Sequence, residues 1–245
     1  SMGYSNKQNY CFLRNVIKVR QQLLEENNLK KYLVYAIGEI ILVVVGILIA
    51  VSINNWKQSK DLEQVEQNLY KDLIQELQHD LAEIQGNREY NNKNLVRYQY
   101  ASEIIINDTL KKMTDTLGVI ATELTNFSDF KNEESAFNKL AAAGKLELIS
   151  NKEILGRLQN LGHLYNYINR LEVNQEQYMY TIVPKISQYL RIKPFKVMQP
   201  DGLYDYKFHN DFEFIIKIGI EKDGLYERGE SEINVLINLL EEELV

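Results

Sequence analysis

A long apolar run near the N-terminus stands out from the mixed apolar and polar pattern that follows it. From Leu33 to Ile53 the only charged residue is Glu39. A helix of about 20 such residues rises about 30 Å, which matches the hydrocarbon core of a bilayer. We therefore predict a transmembrane helix over residues 32–56. The alternatives are a cleaved signal peptide and a buried core helix, although the run is longer than a signal peptide's apolar region and its "SINNW" end lacks a small-residue cleavage site.

The flanks of the run predict how it sits in a membrane. Tyr32 and Tyr35 stand at one end and Trp56 at the other, and such aromatic residues are enriched at membrane interfaces. Within about 20 residues of the run, five Lys and Arg residues precede it and three follow it. Because the more basic side stays in the cytoplasm, we predict an inner-membrane protein with a cytoplasmic N-terminus and a periplasmic main domain.

One stripe of the predicted membrane helix carries small residues and the acid. Alternating steps of three and four residues bring together Ala36, Glu39, Val43, Gly46 and Ala50. Small residues at this spacing let two helix backbones approach closely, and polar groups in a membrane favour protein over lipid. We predict a face for self-association or for a membrane partner. Three roles stay open for the acid: pairing in that interface, tolerance near the bilayer surface, and proton or ion coupling.

Beyond residue 56 the pattern stays helical and predicts an all-α fold. After residue 56 no glycine occurs before Gly86, and Leu62, Leu73 and Ile84 lie eleven residues apart, a spacing that suits straight bundle packing. The membrane helix is expected to continue as a stalk to about residue 106.

Further helices are predicted from capping residues and apolar periodicity. Asn132 is a candidate N-cap for a helix that ends at Gly144. Ser150 or Asn151 caps the next helix, in which Pro184 predicts a kink.

The C-terminal part is predicted to contain one loop and more helix. Residues 193–211 hold two of the three prolines and an Asp-Gly turn, which favours a loop. Residues 212–220 alternate like a strand but have no partner strand, so we predict a helix there and a last helix over 233–244. The expected architecture is a single transmembrane helix continuing into an elongated extracytoplasmic antiparallel helical bundle. The predicted divisions are a cytoplasmic segment 1–31, the membrane helix 32–56 and the bundle domain 57–245.

Charge separates the N-terminal segment from the main body. Residues 1–56 carry six basic and three acidic groups, a net charge of +3, which leaves 22 basic and 31 acidic groups, net −9, in the rest. An acidic body argues against nucleic-acid binding, which depends on Lys and Arg. Residues 12–24 predict a basic amphipathic helix on the inner leaflet, with an ordinary helix packed on protein as the alternative. The single cysteine, Cys11, excludes an intrachain disulfide.

No recognised catalytic pattern is present in the sequence. Glu76 and His79 form one Glu-x-x-His motif, whereas a di-iron bundle needs two, so we predict that His79 faces solvent. Motifs for zinc proteases, nucleophile elbows and phosphate loops do not occur. We predict no catalytic residue, cofactor or metal site, while residue types alone leave a nucleophile triad open.

Sixteen tyrosines are an unusual number for 245 residues. Five of them lie on the long helix after Asn151. Rings with a polar tip suit either a partly hydrated seam between the helices of the bundle or a site on which a small ligand stacks. Tyr204, Tyr206 and Phe208 in the predicted loop are candidates for an exposed contact patch.

Two stretches resemble a bacterial family of single-pass membrane proteins with a domain of unknown function. Residues 19–56 contain an Arg-Gln-x-Leu-Leu run, then Tyr-Ala-Ile-Gly-Glu-Ile, then Ile-Asn-Asn-Trp, and residues 135–154 contain "SAFNKLAAAGKLELISNKEI". The resemblance implies an inner-membrane protein with an extracytoplasmic helical domain and carries no assigned activity.

These patterns favour a non-enzymatic sensor or scaffold. Its expected partners are the lipid bilayer and either a second copy of the chain or another membrane protein, and a small-molecule ligand stays open. One alternative is an energy-coupling, stator-like subunit that uses Glu39. The other is an extracytoplasmic enzyme.

Overall fold

The computed structural model describes residues 18, 29–130 and 135–244. The chain divides into two compact units, Ser1–Glu63 and Gln64–Val245. The predicted amphipathic segment 12–24, apart from residue 18, and the predicted N-cap Asn132 lie outside the described residues.

Helices account for nearly all regular structure in the described residues. A 3₁₀ turn at Leu146–Leu148 separates the third helix from the fourth. The elements in chain order are α1 (Leu29–Asn107), α2 (Thr114–Glu123), α3 (Ala136–Ala142), α4 (Lys152–Tyr189), β1 (Leu190–Arg191), β2 (Lys196–Val197), α5 (Pro200–Leu203) and α6 (Tyr206–Glu242). The prediction of an all-α fold is confirmed.

In the first unit, the residues of α1 along the apolar run are exposed, apart from the half-buried Ala36. One described helix is long and apolar enough to cross a membrane, and none of its most apolar 18-residue window is buried. A core helix of a soluble protein is mostly buried, so this segment does not have the surroundings of one. The finding is compatible with a single-pass membrane protein.

In the second unit, consecutive limbs of the chain run in opposite directions. The α1 limb ends at Asn107, one residue beyond the predicted end of the stalk. The described residues 108–130 and 135–151 then lie back along α1, since the Asp129 N–H donates to Asn87 and, nearer the start of the unit, the Ser150 N–H donates to Glu66. Helix α4 lies beside α1 and runs in the same direction, and α6 runs antiparallel to both. The result is an antiparallel bundle whose second limb is broken into short helices.

Close packing holds α1 and α6 together. Residue positions 219 and 229 of α6 are glycines, and a Cβ at Gly229 would lie 2.9 Å from the Cδ1 atom of Ile84. Glycine at such a position lets a large aliphatic side chain reach the opposing backbone. Two apolar clusters fill the unit, one around Leu77, Leu158 and Ile233 and the other around Ile104, Leu117 and Phe212.

Helix caps agree with the sequence in one case and differ in another. Asn151 caps α4 by accepting hydrogen bonds from the backbone N–H groups of Glu153 and Ile154, as predicted. The helix predicted to start after Asn132 begins at Ala136 instead, because the Ser135 side chain accepts from Asn138 N–H.

The C-terminal predictions were partly wrong. The segment 212–220 is helical as predicted, but it belongs to one continuous helix, α6, rather than preceding a separate last helix. The predicted loop 193–211 contains β2, α5 and the start of α6, because Asp205 caps α6 by accepting from Lys207 N–H. The two-residue strands β1 and β2 pair antiparallel, with Leu190 opposite Val197.

Candidate functional site

The predicted membrane face lies on one uninterrupted helix. Of its members Ala36 is half-buried, and Glu39, Val43, Gly46 and Ala50 are exposed. A Cβ at Gly46 would meet nothing within 4 Å. The face is therefore free for close approach by another helix in this structure, and its role in assembly stays a prediction.

The predicted interface anchors also stay a prediction. Tyr32 is half-buried, whereas Tyr35 and Trp56 are 42% and 66% exposed. All three lie on α1, at the two ends of the apolar run.

A buried polar cluster occupies the middle of the second unit, and the sequence analysis missed it. Lys222 is fully buried, and its Nζ donates to Gln175 Oε1 at 2.9 Å and to the Ser128 carbonyl at 3.1 Å. Glu172 Oε1 lies 3.8 Å from this Nζ. The Tyr226 hydroxyl donates to Glu172 and lies 2.9 Å from Ser128 Oγ. We call these five residues the Lys222 cluster.

The cluster fastens the segment after α2 to the bundle. The backbone N–H of Phe130 donates to both carboxylate oxygens of Glu172, at 3.1 Å each, and the Ser128 carbonyl accepts from Lys222. Ser128 and Phe130 of this non-helical segment are thus held by side chains from α4 and α6. Buried polar networks with all members bonded specify one arrangement of the chain.

Burial shifts the ionisation of both charged members. It raises the pKa of Glu172, against the lowering effect of the Tyr226 hydrogen bond and the Lys222 charge. It lowers the pKa of Lys222 to about 8, against the attraction of Glu172 and Asp129. The donors directed at Glu172 favour its carboxylate form. Burial therefore opposes the charged form of both residues, while their mutual attraction and these donors favour it.

A periodic signal for the cluster does exist in the sequence. Lys222 continues the buried stripe of α6 between Gly219 and Tyr226, and Glu172 continues that of α4 after Ile168. A charged residue at a core position of a long helix is the pattern that would have predicted it.

A small polar cavity adjoins the cluster. Gln175 and Ser128 line it together with Asn91 and Asn94, and its volume of about 10 Å³ suits a single water molecule. Asn94 is only 8% exposed, and within the described ranges no hydrogen bond from another residue reaches its side chain. A space of this size does not admit a metabolite.

Histidine lies beside serine and glutamate at one further place. Ser102 Oγ is 2.8 Å from His209 Nε2 and donates to Glu213 Oε1 at 2.6 Å. The same His209 nitrogen is 3.3 Å from Glu213. A nucleophile triad holds the acid on one imidazole nitrogen and the serine on the other. Here both meet the same nitrogen, so the cluster lacks the arrangement that activates a serine.

The other histidines are solvent-facing. His79 is exposed on α1, as predicted, and His163 is exposed in an open groove of about 750 Å³ between α4 and α6. Arg157 spans that groove and is already paired with Glu153 and Glu232, at 3.0 Å each. Within residues 18, 29–130 and 135–244, no group of three or more His, Cys, Asp and Glu side chains is placed to hold a metal ion.

Tyrosine placement favours the seam interpretation over a stacking site. Tyr165 is buried in the core with its hydroxyl donating to Asp80 at 2.9 Å, and Tyr178 donates to Asp211 at 2.9 Å. Of the residues proposed as a contact patch, Phe208 is fully buried and Tyr206 is 66% exposed. The patch as a whole is therefore not formed.

The match to a known family includes part of each unit. The model for a family of unknown function, DUF6090, matches residues 39–217, which is 179 of 245 positions. The chain belongs to the DUF6090 family. The match begins within the apolar run and ends within α6, so it includes Glu39 and Glu172 but stops before Lys222. The predicted membership of a domain-of-unknown-function family is confirmed. A search of curated proteins finds no match, and neither does a search of solved structures.

Proposed function

We propose that this DUF6090 protein is a non-enzymatic sensor or scaffold of the bacterial inner membrane. Residues 32–56 cross the bilayer once, the N-terminus is cytoplasmic and the helical bundle lies in the periplasm. It acts by helix–helix assembly with a second copy or with another membrane protein. The observation that carries the proposal is that none of the apolar window in α1 is buried.

The energetics of the apolar run support insertion. Between Leu33 and Ile53 there are fourteen Leu, Ile and Val residues, each contributing about 0.3 to 0.6 kcal/mol on insertion scales, or about 4 to 8 kcal/mol together. An acid costs about 3 kcal/mol at the centre of a membrane helix. Glu39 lies nearer the end of the run, so its cost is smaller. The apolar contribution therefore outweighs the acid.

Cysteine crosslinking along the run tests assembly through the predicted face. In a Cys11→Ser background, single cysteines at Ala36, Val43 and Ala50 are expected to form disulfide-linked dimers in native membranes. Cysteines at Ile41 and Leu48, on the opposite side of the helix, are the matched controls and should crosslink weakly. Crosslinking without helical periodicity would remove the assembly face from the proposal.

The native cysteine reports the orientation. If the N-terminus is cytoplasmic, Cys11 reacts with a membrane-impermeant maleimide only after the cells are permeabilised. In the Cys11→Ser background, a cysteine at exposed Lys217 should react in cells whose outer membrane alone is opened. The reverse pattern would place the bundle in the cytoplasm.

A stator-like role is the second candidate, favoured by the single acid on an otherwise uncharged run. If Glu39 carries protons, Glu39→Gln abolishes the phenotype that depends on this protein while the crosslinks of the assembly face persist. A Glu39→Gln strain that retains the phenotype of the parent removes this candidate and leaves the sensor or scaffold role standing.

A further inference from the structure

The β1–β2 hairpin is a firmly seated projection of the second unit. Leu190 at its base is 3% exposed, and the backbone N–H of Met198 donates to the Tyr189 carbonyl at 2.8 Å. A Cβ at Gly118 of α2 would lie 2.9 Å from Val197 and 3.1 Å from Phe195. The hairpin therefore rests directly on the backbone of α2, and glycine is what permits this contact.

The outward side of the hairpin is apolar. Ile192 is 60% exposed, Met198 47% and Phe195 40%, although the Phe195 ring edge touches Gly118. Three large apolar side chains within seven residues leave water-exposed hydrocarbon on a segment that the bundle holds in place. Clustered exposure of this kind marks an interaction site more often than scattered single residues do.

Cations alternate with these apolar residues. Arg191, Lys193 and Lys196 are exposed, and in the described part of the chain none of them has an ion-pair partner. No acid occurs from Leu190 to Gln199, which gives the hairpin a local charge of +3. The body after residue 56 has a net charge of −9. The hairpin is thus a basic site on an acidic body.

We propose that the hairpin binds the surface of a bilayer that contains anionic phospholipid. The cations contact lipid phosphates while Ile192, Phe195 and Met198 enter the boundary between headgroups and acyl chains, the mode of interfacial segments that carry both kinds of side chain. An acidic body is repelled by such a surface, so binding orients the second unit with the hairpin toward the lipid. This site is separate from the apolar run of α1 and does not depend on its crossing a membrane.

Vesicle flotation with the full chain tests the proposal. The chain is held in a phosphatidylcholine nanodisc, which occupies the apolar run, and is mixed with vesicles of phosphatidylcholine alone or with added phosphatidylglycerol. We expect co-flotation only with the phosphatidylglycerol vesicles, weakening as salt is raised. Equal binding to both vesicle types, or no binding to either, would overturn the proposal. Incorporation into the nanodisc is scored separately, so failure of the transmembrane assignment is distinguishable.

Matched variants locate the binding surface. The combined change Arg191→Gln, Lys193→Gln and Lys196→Gln should weaken vesicle binding on the order of a hundredfold, because each cation near an anionic surface contributes about a factor of five. Replacing Ile192 and Phe195 by serine should also weaken binding and reduce its resistance to salt.

The control changes the same charge elsewhere on the body. Lys145→Gln, Lys152→Gln and Lys217→Gln remove three exposed cations outside the hairpin and should leave binding within about twofold, because they do not face the lipid. An equal loss of vesicle binding in this control would show that only the net charge of the chain matters, and it would overturn the hairpin as the binding site. If nanodiscs pair with one another in the absence of vesicles, and the hairpin variant loses this pairing, the hairpin binds a second copy of the chain instead of lipid. Circular dichroism of every variant checks that the helices are intact.

Discussion

Replacing Lys222 by methionine should destabilise the second unit by about 3 to 5 kcal/mol, the range for removing one partner of a buried ion pair. The lysine is fully buried, and its pKa of about 8, against an ordinary 10.5, is the net result of a desolvation cost and the opposing attraction of Glu172 and Asp129. Methionine removes that cost while keeping most of the packed volume. The variant must therefore lose more than this through the partners that Lys222 leaves behind.

Those losses follow from the distances in the cluster. Two opposite charges 3.8 Å apart attract by about 4 kcal/mol at an effective dielectric constant near 20, so Glu172 loses that much. Gln175 Oε1 and the Ser128 carbonyl lose their donor, at about 1 to 2 kcal/mol each. These losses exceed the relieved desolvation cost, and removing one partner of a buried pair leaves a net destabilisation of about 3 to 5 kcal/mol.

The assay is urea unfolding of the full chain in non-ionic detergent, followed by far-UV circular dichroism and extrapolated to zero urea. Lys217→Met is the matched control, because Lys217 is exposed on the same helix, and it should change stability by less than about 0.5 kcal/mol. The double variant Lys222→Met/Glu172→Gln also removes the carboxylate charge that the first substitution leaves unpaired. The side-chain amide oxygen at position 172 can still accept from Phe130 and Tyr226. That double variant should recover at least about 2 kcal/mol relative to Lys222→Met. Additive effects of the two substitutions would refute the charged-pair account.

Three further changes test the fold. Burial raises the pKa of Asp80, so the folded state holds that proton to higher pH than the unfolded state. The stability that this proton provides below about pH 4 is lost as pH rises through the folded pKa. Asp80→Asn, which still accepts from Tyr165, should flatten this decline in urea titrations carried out at increasing pH. Gly118→Ala places a methyl group 2.9 Å from a hairpin side chain and should lower stability by about 1 to 2 kcal/mol. Gly156→Ala, whose methyl group would meet nothing within 4 Å, is the control and should raise stability by about 0.5 to 1 kcal/mol. Equal effects of the two substitutions would contradict the close contact between the hairpin and α2. Asn151→Ala should cost about 1 kcal/mol through the lost α4 cap, measured by thermal unfolding, and an unchanged midpoint would show that the cap is dispensable.

The features that the sequence predicted well are set by local chemistry. Unbroken apolar periodicity with no proline before residue 184 predicted that the apolar run and the stalk form one helix, and the predicted end lies one residue from that of α1. Asn151 was one of two candidate caps, with Ser150, because a polar side chain before an apolar run satisfies free backbone N–H groups. The apolar run itself needed only composition and length.

The features that were missed depend on tertiary contacts. A hairpin of two residues per strand carries no periodicity, and its position depends on a contact between Gly118 and Val197 that spans 79 residues. The partners of Lys222, Glu172 and Gln175, lie on α4, and only the packing of α4 against α6 brings them to the lysine. The predicted boundary between the loop and α6 was wrong because Asp205 starts the helix within a segment whose prolines and Asp-Gly turn favour a loop.

The membrane face stays a prediction because its evidence is a pattern on one helix. Ala36, Gly46 and Ala50 make a surface that another helix can approach closely. The described residues do not supply that second helix.

The proposed membrane insertion of residues 33–53 can be tested by one fractionation of the full-length chain. Membranes from cells that express it are washed at alkaline pH, which strips peripheral proteins, and the washed pellet is then dissolved in detergent. The account predicts that the chain stays in the washed pellet and is released only by detergent. A chain that leaves the membranes in the wash and remains soluble and monodisperse without detergent would contradict it.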